Sequence, residues 1–393
     1  MNVKKVLEYF KKITKIPHCS GDTEKLRKFL VEYAKSKGFE PLCDEAGNIL
    51  ISPKNPKICL QAHIDMVCVG NAPDIEIIEE NGWLKAKNSS LGADNSIGVA
   101  MMIYFMEKYK SIEYLFTNDE EIGLIGAKNL KLKIQSPYLL NLDSENDKEI
   151  LIGCAGGVDI KIKFPLKKEK IKGILGKVSV ENLPGGHSGV DIDKNIPNAI
   201  IELIHKIDSL AFIKGGERTN SIPSNAYALE VFEGKEEIEI YDNEYLKFLR
   251  KIPHGVLEYD FEFKIPKKSV NFAMIEENNI ILSARANSKE GLQELKEYIK
   301  MKTLGCEICF ENEYPAWQKE KSPFAIKLQK ISKAKLYIIH AGLECAVLKE
   351  KFPKVAMASF GPLIENPHSI RERVNINSIK NVIEAVEKLI NQI

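Results

Sequence analysis

The sequence predicts an α/β protein, a mixed sheet flanked by helices, with a second α+β domain inserted into it. Three observations carry this. Short apolar runs alternate with amphipathic stretches through the first third of the chain, the pattern of strands covered by helices. After Gly153-Cys-Ala-Gly-Gly157 the pattern becomes strict apolar–polar alternation, as in Val158-Asp-Ile-Lys-Ile-Lys-Phe164, which suits strands with one solvated face. Beyond Tyr314-Pro-Ala-Trp317 long helical patterns return around an apolar run at Lys354-Val-Ala-Met-Ala358. The expected organisation is a first domain in two parts, 1–156 and 312–393, interrupted by an insert at 157–311. A chain of 393 residues is long enough for more than one core.

In order, Val3 to Ile13 and Leu26 to Ala34 carry apolar residues at helical spacing, the second preceded by cap candidates Ser20 and Asp22. Lys57 to Ala62 reads as a buried strand, and Val99 to Met106, following Gly98, as a helix apolar on all sides. Ile112 to Phe116 and Tyr138 to Leu142 are further strands. In the insert, alternation recurs at Lys177 to Val180 and Ala226 to Phe232, with a helix from Ala199 to Leu210 between them. No internal repeat or low-complexity segment is found.

The net charge of +1 gives no electrostatic reason for a nucleic-acid or membrane partner. No apolar run is long enough for a membrane span, and the N-terminus lacks the pattern of a secretory signal. The eight cysteines show no framework spacing, so reduced thiols in a cytoplasmic protein are expected. Cys306 and Cys309 have C-x-x-C spacing but lie in a strand-like segment without a second ligand pair. They read as core thiols.

Four segments at strand ends carry chemistry: Ala62-His-Ile-Asp65, Leu91-Gly-Ala-Asp-Asn95, Asp119-Glu-Glu121 and Asn141-Leu-Asp-Ser-Glu145. Ligand sites in open α/β sheets form outside the carboxyl ends of strands, so these can converge. His368 follows the last strand and can reach the same edge. Carboxylates brought together need cations, since two like charges about 4 Å apart repel by roughly 4 kcal/mol at an effective dielectric of 20. Mixed Asp, Glu and His ligands suit a pair of zinc ions. The expected set is His63 and Asp143 on one ion, Glu121 and His368 on the other, and Asp94 between them. Asp65 would orient His63, and Glu120 would be the general base acting on a metal-bridging water.

Taken singly each motif has an ordinary explanation, a surface pair, a solvated charge run or a helix cap. Their joint order does not. His63-Ile-Asp65, Gly92-Ala-Asp94, Glu120-Glu-x-Gly123, Asp143 and His368-Ser resemble, in sequence, the motifs of the co-catalytic zinc peptidases, a family that includes carnosinases, carboxypeptidase G and aminoacylase. Leu91-Gly-Ala-Asp-Asn95, Asn141-Leu-Asp-Ser-Glu145, Ile152-Gly-Cys-Ala-Gly-Gly157, Gly185-Gly-His-Ser-Gly-Val-Asp-Ile192 and Tyr314-Pro-x-Trp317 are most similar to its aminoacyl-histidine (Xaa-His) dipeptidase group. The resemblance covers essentially the whole chain. It implies a mixed-sheet catalytic domain with an inserted lid and dimerisation domain, two Zn²⁺ ions (Mn²⁺ or Co²⁺ as substitutes), a small peptide substrate and a homodimer. It also implies substrate-binding roles for His187, Asn220 and Arg285, the last on the substrate's terminal carboxylate. Ser96 departs from the Gly common in close relatives, and the insert looks short for the group. The readings carried forward are a metal-dependent dipeptidase, a broader amide hydrolase (tripeptidase or N-acyl amino acid hydrolase), and a peptide-binding protein without catalysis.

Overall fold

A computed structural model describes residues 2–393. The chain divides into two compact units, one of residues 1–153, 319–338 and 344–393, the other of residues 154–318 and 339–343.

The first unit is built on a mixed eight-stranded sheet. At its centre Glu113–Thr117, Cys59–His63, Tyr138–Asn141 and Ala356–Ser359 lie side by side and parallel. Every residue of Cys59–His63 and Glu113–Thr117 is buried, as near-continuous apolar runs in a parallel sheet covered on both faces require. The shorter Ile49–Ile51 and Leu42–Cys43 strands extend one side in antiparallel fashion.

Helices Asn2–Ile13 and Glu24–Ser36 form where the spacing placed them. The residue before the second helix is Thr23, not Ser20 or Asp22, and its hydroxyl donates to Asn118 Oδ1 at 2.5 Å instead of capping. The apolar helix runs from Ala93 to Lys108 and contains Gly98 rather than following it. A Cβ at Gly98 would stand 3.1 Å from Ala62 Cβ, so glycine permits close approach of helix to strand.

Two of the eight cysteines are joined. Cys19 and Cys68 form a disulfide with Cα atoms 5.5 Å apart, which corrects the expectation of reduced thiols throughout. The pairing follows from a parallel bridge between Cys19 and Met66, a long-range contact that cysteine spacing does not encode.

The second unit is an antiparallel sheet whose longest strands are Lys168–Val180, Ala226–Tyr241 and Ile265–Glu276. Along Gly156–Lys163, Val158, Ile160 and Ile162 point into the core while Lys161 and Lys163 are exposed, as the alternation predicts. Ile200, Leu203, Leu246, Leu295 and Ile299 from the helices close that core. Cys306 packs against it, whereas Cys309 is exposed on the Glu307–Tyr314 strand. Both are free thiols; the core reading therefore fails for Cys309, which the strand's alternation turns to the solvated face.

Candidate metal centre

The parallel strands of the first unit deliver their chemistry to one edge. His63 ends its strand. Glu120 and Glu121 follow Glu113–Thr117 through a turn at Asp119, whose φ of 50° reverses the chain. Asp143 stands two residues beyond Asn141. Asp94 comes from the first turn of the Ala93–Lys108 helix, and His368 from the loop after Ala356–Ser359.

Five of these six side chains, all but Glu120, meet one another. His63 Nε2 lies 3.1 Å from Asp94 Oδ1 and 3.2 Å from Asp143 Oδ1. His368 Nε2 lies 3.2 Å from Asp94 Oδ2 and 2.9 Å from Glu121 Oε1. Each oxygen of Asp94 thus faces a different histidine. Tetrahedral ligands at zinc bond lengths stand about 3.3 Å apart, close to these separations.

The tautomer of His63 sharpens the point. Its Nδ1 lies 3.0 Å from the Asp65 carbonyl oxygen, a pure acceptor, so Nδ1 carries the proton. A neutral ring then turns the Nε2 lone pair toward two carboxylates, which demands a further proton or a cation between them. The Asp65 carboxylate is farther from His63, at 3.5 Å. It accepts instead from the backbone N–H of Glu120 at 2.9 Å and Glu121 at 3.2 Å, and from Ser20 Oγ at 2.8 Å. Asp65 therefore holds the Glu120-Glu121 turn as well as the histidine.

Electrostatics measures the crowding. Burial, then repulsion from Glu121, pushes the Glu120 carboxyl well above its ordinary range. Burial and Asp94 raise Glu121 to about 7, and burial with Asp94 and Asp143 raises Glu145 to about 8. Asp143 is also raised by burial. Burial opposes charge on His368, but Asp94 and Glu121 carry it up to about 11. Burial likewise raises Asp94, yet hydrogen bonds to His368 and His63 hold it below the usual carboxylate range. So many anions around two imidazoles fit divalent cations, which would restore the ionised carboxylates. Atoms of His63, Asp94 and Glu121 lie within 4.8 Å of one another, so the ligands expected for the two ions stand close together around Asp94.

The sequence reading did not single out three carboxylates of this unit, of which Glu344 and Glu372 are fully buried. Glu344 Oε2 accepts from Gln61 Nε2 at 2.6 Å and Thr117 Oγ1 at 2.7 Å, and burial lifts it to about 7. With Asn141 donating to Gln61 Oε1 at 2.6 Å and Ser359 to Asn141 Oδ1 at 2.5 Å, it ends a polar ladder crossing the parallel strands. Glu145 lies in a motif already noticed for Asp143. Glu372 has no local signal. Ser96 also finds a partner: His18 Nδ1 donates to the Ile16 carbonyl at 2.6 Å, so Nε2 accepts from Ser96 Oγ at 2.9 Å.

His187, Asn220 and Arg285 belong to the second unit and cluster there. The Ser188 N–H donates to the Asn220 carbonyl at 2.9 Å, and His187 pairs with Ser221 across a short antiparallel ladder. Arg285 is 6 % exposed. It donates to Tyr314 Oη and, at 3.2 Å, to Ser188 Oγ, while its Nε is buried without an acceptor. His340, which lacks a sequence pattern, joins this cluster. Its Nδ1 stands 2.8 Å from Asn287 Oδ1 and its Nε2 2.8 Å from Ser269 Oγ. Burial, then the charge of Arg285, lowers it to about 3, so it is neutral.

No family model matches the sequence. Whole-length relatives do. The cytosol non-specific dipeptidase of Escherichia coli is 29 % identical over 98 % of this chain and 97 % of its own length. That alignment spans 471 positions, so the relative carries residues this chain lacks. The crystal structure of aminoacylhistidine dipeptidase from Vibrio alginolyticus superposes with a TM-score of 0.80 at 28 % identity, covering 99 % of this chain and 96 % of that one. The fold extends to the Bacillus subtilis protein YXEP, described as a dinuclear metal-binding peptidase from the M20 family, at 12 % identity and a TM-score of 0.51, covering 99 % and 97 % of the two chains. Among the described residues no helix is long and apolar enough to cross a membrane.

Proposed function

We infer that this chain is a metallopeptidase of the M20 family, a dipeptidase that hydrolyses Xaa-His and other dipeptides. The observation that carries the reading is the division of Asp94, one oxygen toward His63 at 3.1 Å and the other toward His368 at 3.2 Å. That arrangement supports two cations, zinc in our reading with Mn²⁺ or Co²⁺ as substitutes, held by His63 and Asp143 and by Glu121 and His368. Such ions would polarise the scissile carbonyl and lower the pKa of the attacking water.

The chain's own residues supply the rest. Asp65 fixes the backbone of Glu120, so that its carboxylate can take a proton from the attacking water and return it to the leaving amine. In the second unit, proposed here as the lid, Arg285 offers a buried donor to the terminal carboxylate of the substrate. His187 and Asn220 would contact the peptide carbonyl. The names of the two relatives support a dipeptide substrate, and one of them a cytoplasmic location. A homodimer is part of the same proposal.

A panel of Xaa-His and other dipeptides, assayed before and after chelation, tests it. We expect hydrolysis that chelation abolishes and Zn²⁺ or Mn²⁺ restores. Turnover unaffected by a chelator would remove the metal from the mechanism, and a silent panel would remove the substrate class.

A further inference from the structure

The Ala93–Lys108 helix begins in an unusual way. Its cap position is Gly92, with φ 66°, and no side chain of that residue can cap it. Its first turn departs from helical angles at Asp94 (φ −80°, ψ 107°) and Asn95 (φ −115°, ψ 32°). A turn of this kind is not defined by the helix's own hydrogen bonds, yet it presents Asp94. Its free N–H groups would be costly to leave unpaired at this depth.

Those of Gly92, Ala93 and Asp94, with that of Leu91 just before them, are taken by one side chain. The carboxylate of Glu372, 1 % exposed, accepts from the N–H of Leu91 at 2.7 Å and Gly92 at 2.9 Å through Oε2. Through Oε1 it accepts from Ala93 at 2.7 Å and Asp94 at 3.2 Å. An anion at this end also meets the positive pole of a sixteen-residue helix. Glu372 belongs to the turn that carries His368, its own N–H donating to the Ser369 carbonyl at 3.1 Å. One carboxylate therefore ties the segment bearing Asp94 to the segment bearing His368, whose side chains meet at 3.2 Å.

We propose that Glu372 is a positioning residue for the metal centre, setting the backbone of Asp94 so that its two oxygens divide between His63 and His368. The inference rests on the reading of Asp94 as the ligand between two ions.

Glu372→Gln tests it, because an amide puts an NH₂ where two of the four N–H groups need an acceptor. Titration of the metal-free protein with Zn²⁺ or Co²⁺ should show affinity weakened about 10- to 100-fold, with Glu372→Asp, which keeps the charge on a shorter stem, recovering part of it. A cap with only a structural role would lower the melting temperature of the metal-free protein and leave the affinity of the folded fraction unchanged; that result overturns the proposal. Should the variant not fold, amide exchange in the wild-type protein decides. The N–H groups of Leu91 to Asp94 should exchange as slowly as those of the helix interior, and fast exchange overturns the proposal. If the wild-type protein binds no divalent metal while these amides are protected, the functional reading has failed, not the hydrogen bonding.

Discussion

The first unit gathers negative charge and the second a positive one. At the sheet edge, Asp94, Glu121, Asp143 and Glu145 surround two histidines, and burial with mutual repulsion drives three of these carboxyl groups upward. In the second unit the buried guanidinium of Arg285 is hydrogen-bonded to the neutral hydroxyls of Tyr314 and Ser188. The two regions have opposite deficits. A cluster of anions calls for cations, and a cation solvated by hydroxyls calls for an anion. In the proposed reading the two deficits correspond to two tasks: residues of the first unit would hold metal and do the chemistry, and Arg285 of the second would bind the substrate's carboxylate.

Substitutions that separate turnover from binding break or sharpen this division. Glu120→Ala should lower kcat by at least ~100-fold, the usual scale for losing a general base, with metal content unchanged. Retained turnover would show that Glu120 does not move the proton. Arg285→Ala should act on the other side of the comparison. Loss of a charge-assisted hydrogen bond to the substrate predicts a rise in KM of about 10- to 100-fold, again with metal content unchanged. If metal binding falls instead, the two units do not divide the work in this way. Ser96→Gly should do least. It strips the buried Nε2 of His18 of its donor, which predicts a loss of about 1–2 kcal/mol in chemical denaturation and unchanged kcat. A fall in kcat would bring Ser96 into the chemistry.

The convergence of four of these side chains was legible because they sit at strand ends. His63, Glu120, Glu121 and Asp143 each follow an apolar run long enough to read as a buried strand, and parallel strands bring such ends to one edge. What was illegible depends on pairings between distant segments. Glu372 lies 281 residues from Leu91, and nothing near it in sequence announces a helix end to cap. Glu344 enters the ladder of Gln61 and Thr117 from within a helix, where a glutamate ordinarily reads as surface. The Cys19–Cys68 disulfide depends on a bridge to Met66. The alternation that located the strands of the second unit says only which face is wet. It could not say that His340 would lie with Arg285, since that follows from the antiparallel register and from the 339–343 segment belonging to the second unit.

The claim on which the rest depends is that Asp94 stands between two cations. Metal analysis of the purified protein, with Asp94→Asn prepared in parallel, tests it most directly. The account predicts two divalent ions per wild-type chain and loss of tight binding at both positions in the variant. A single ion in the wild type, or two ions bound as tightly after the substitution, would contradict it.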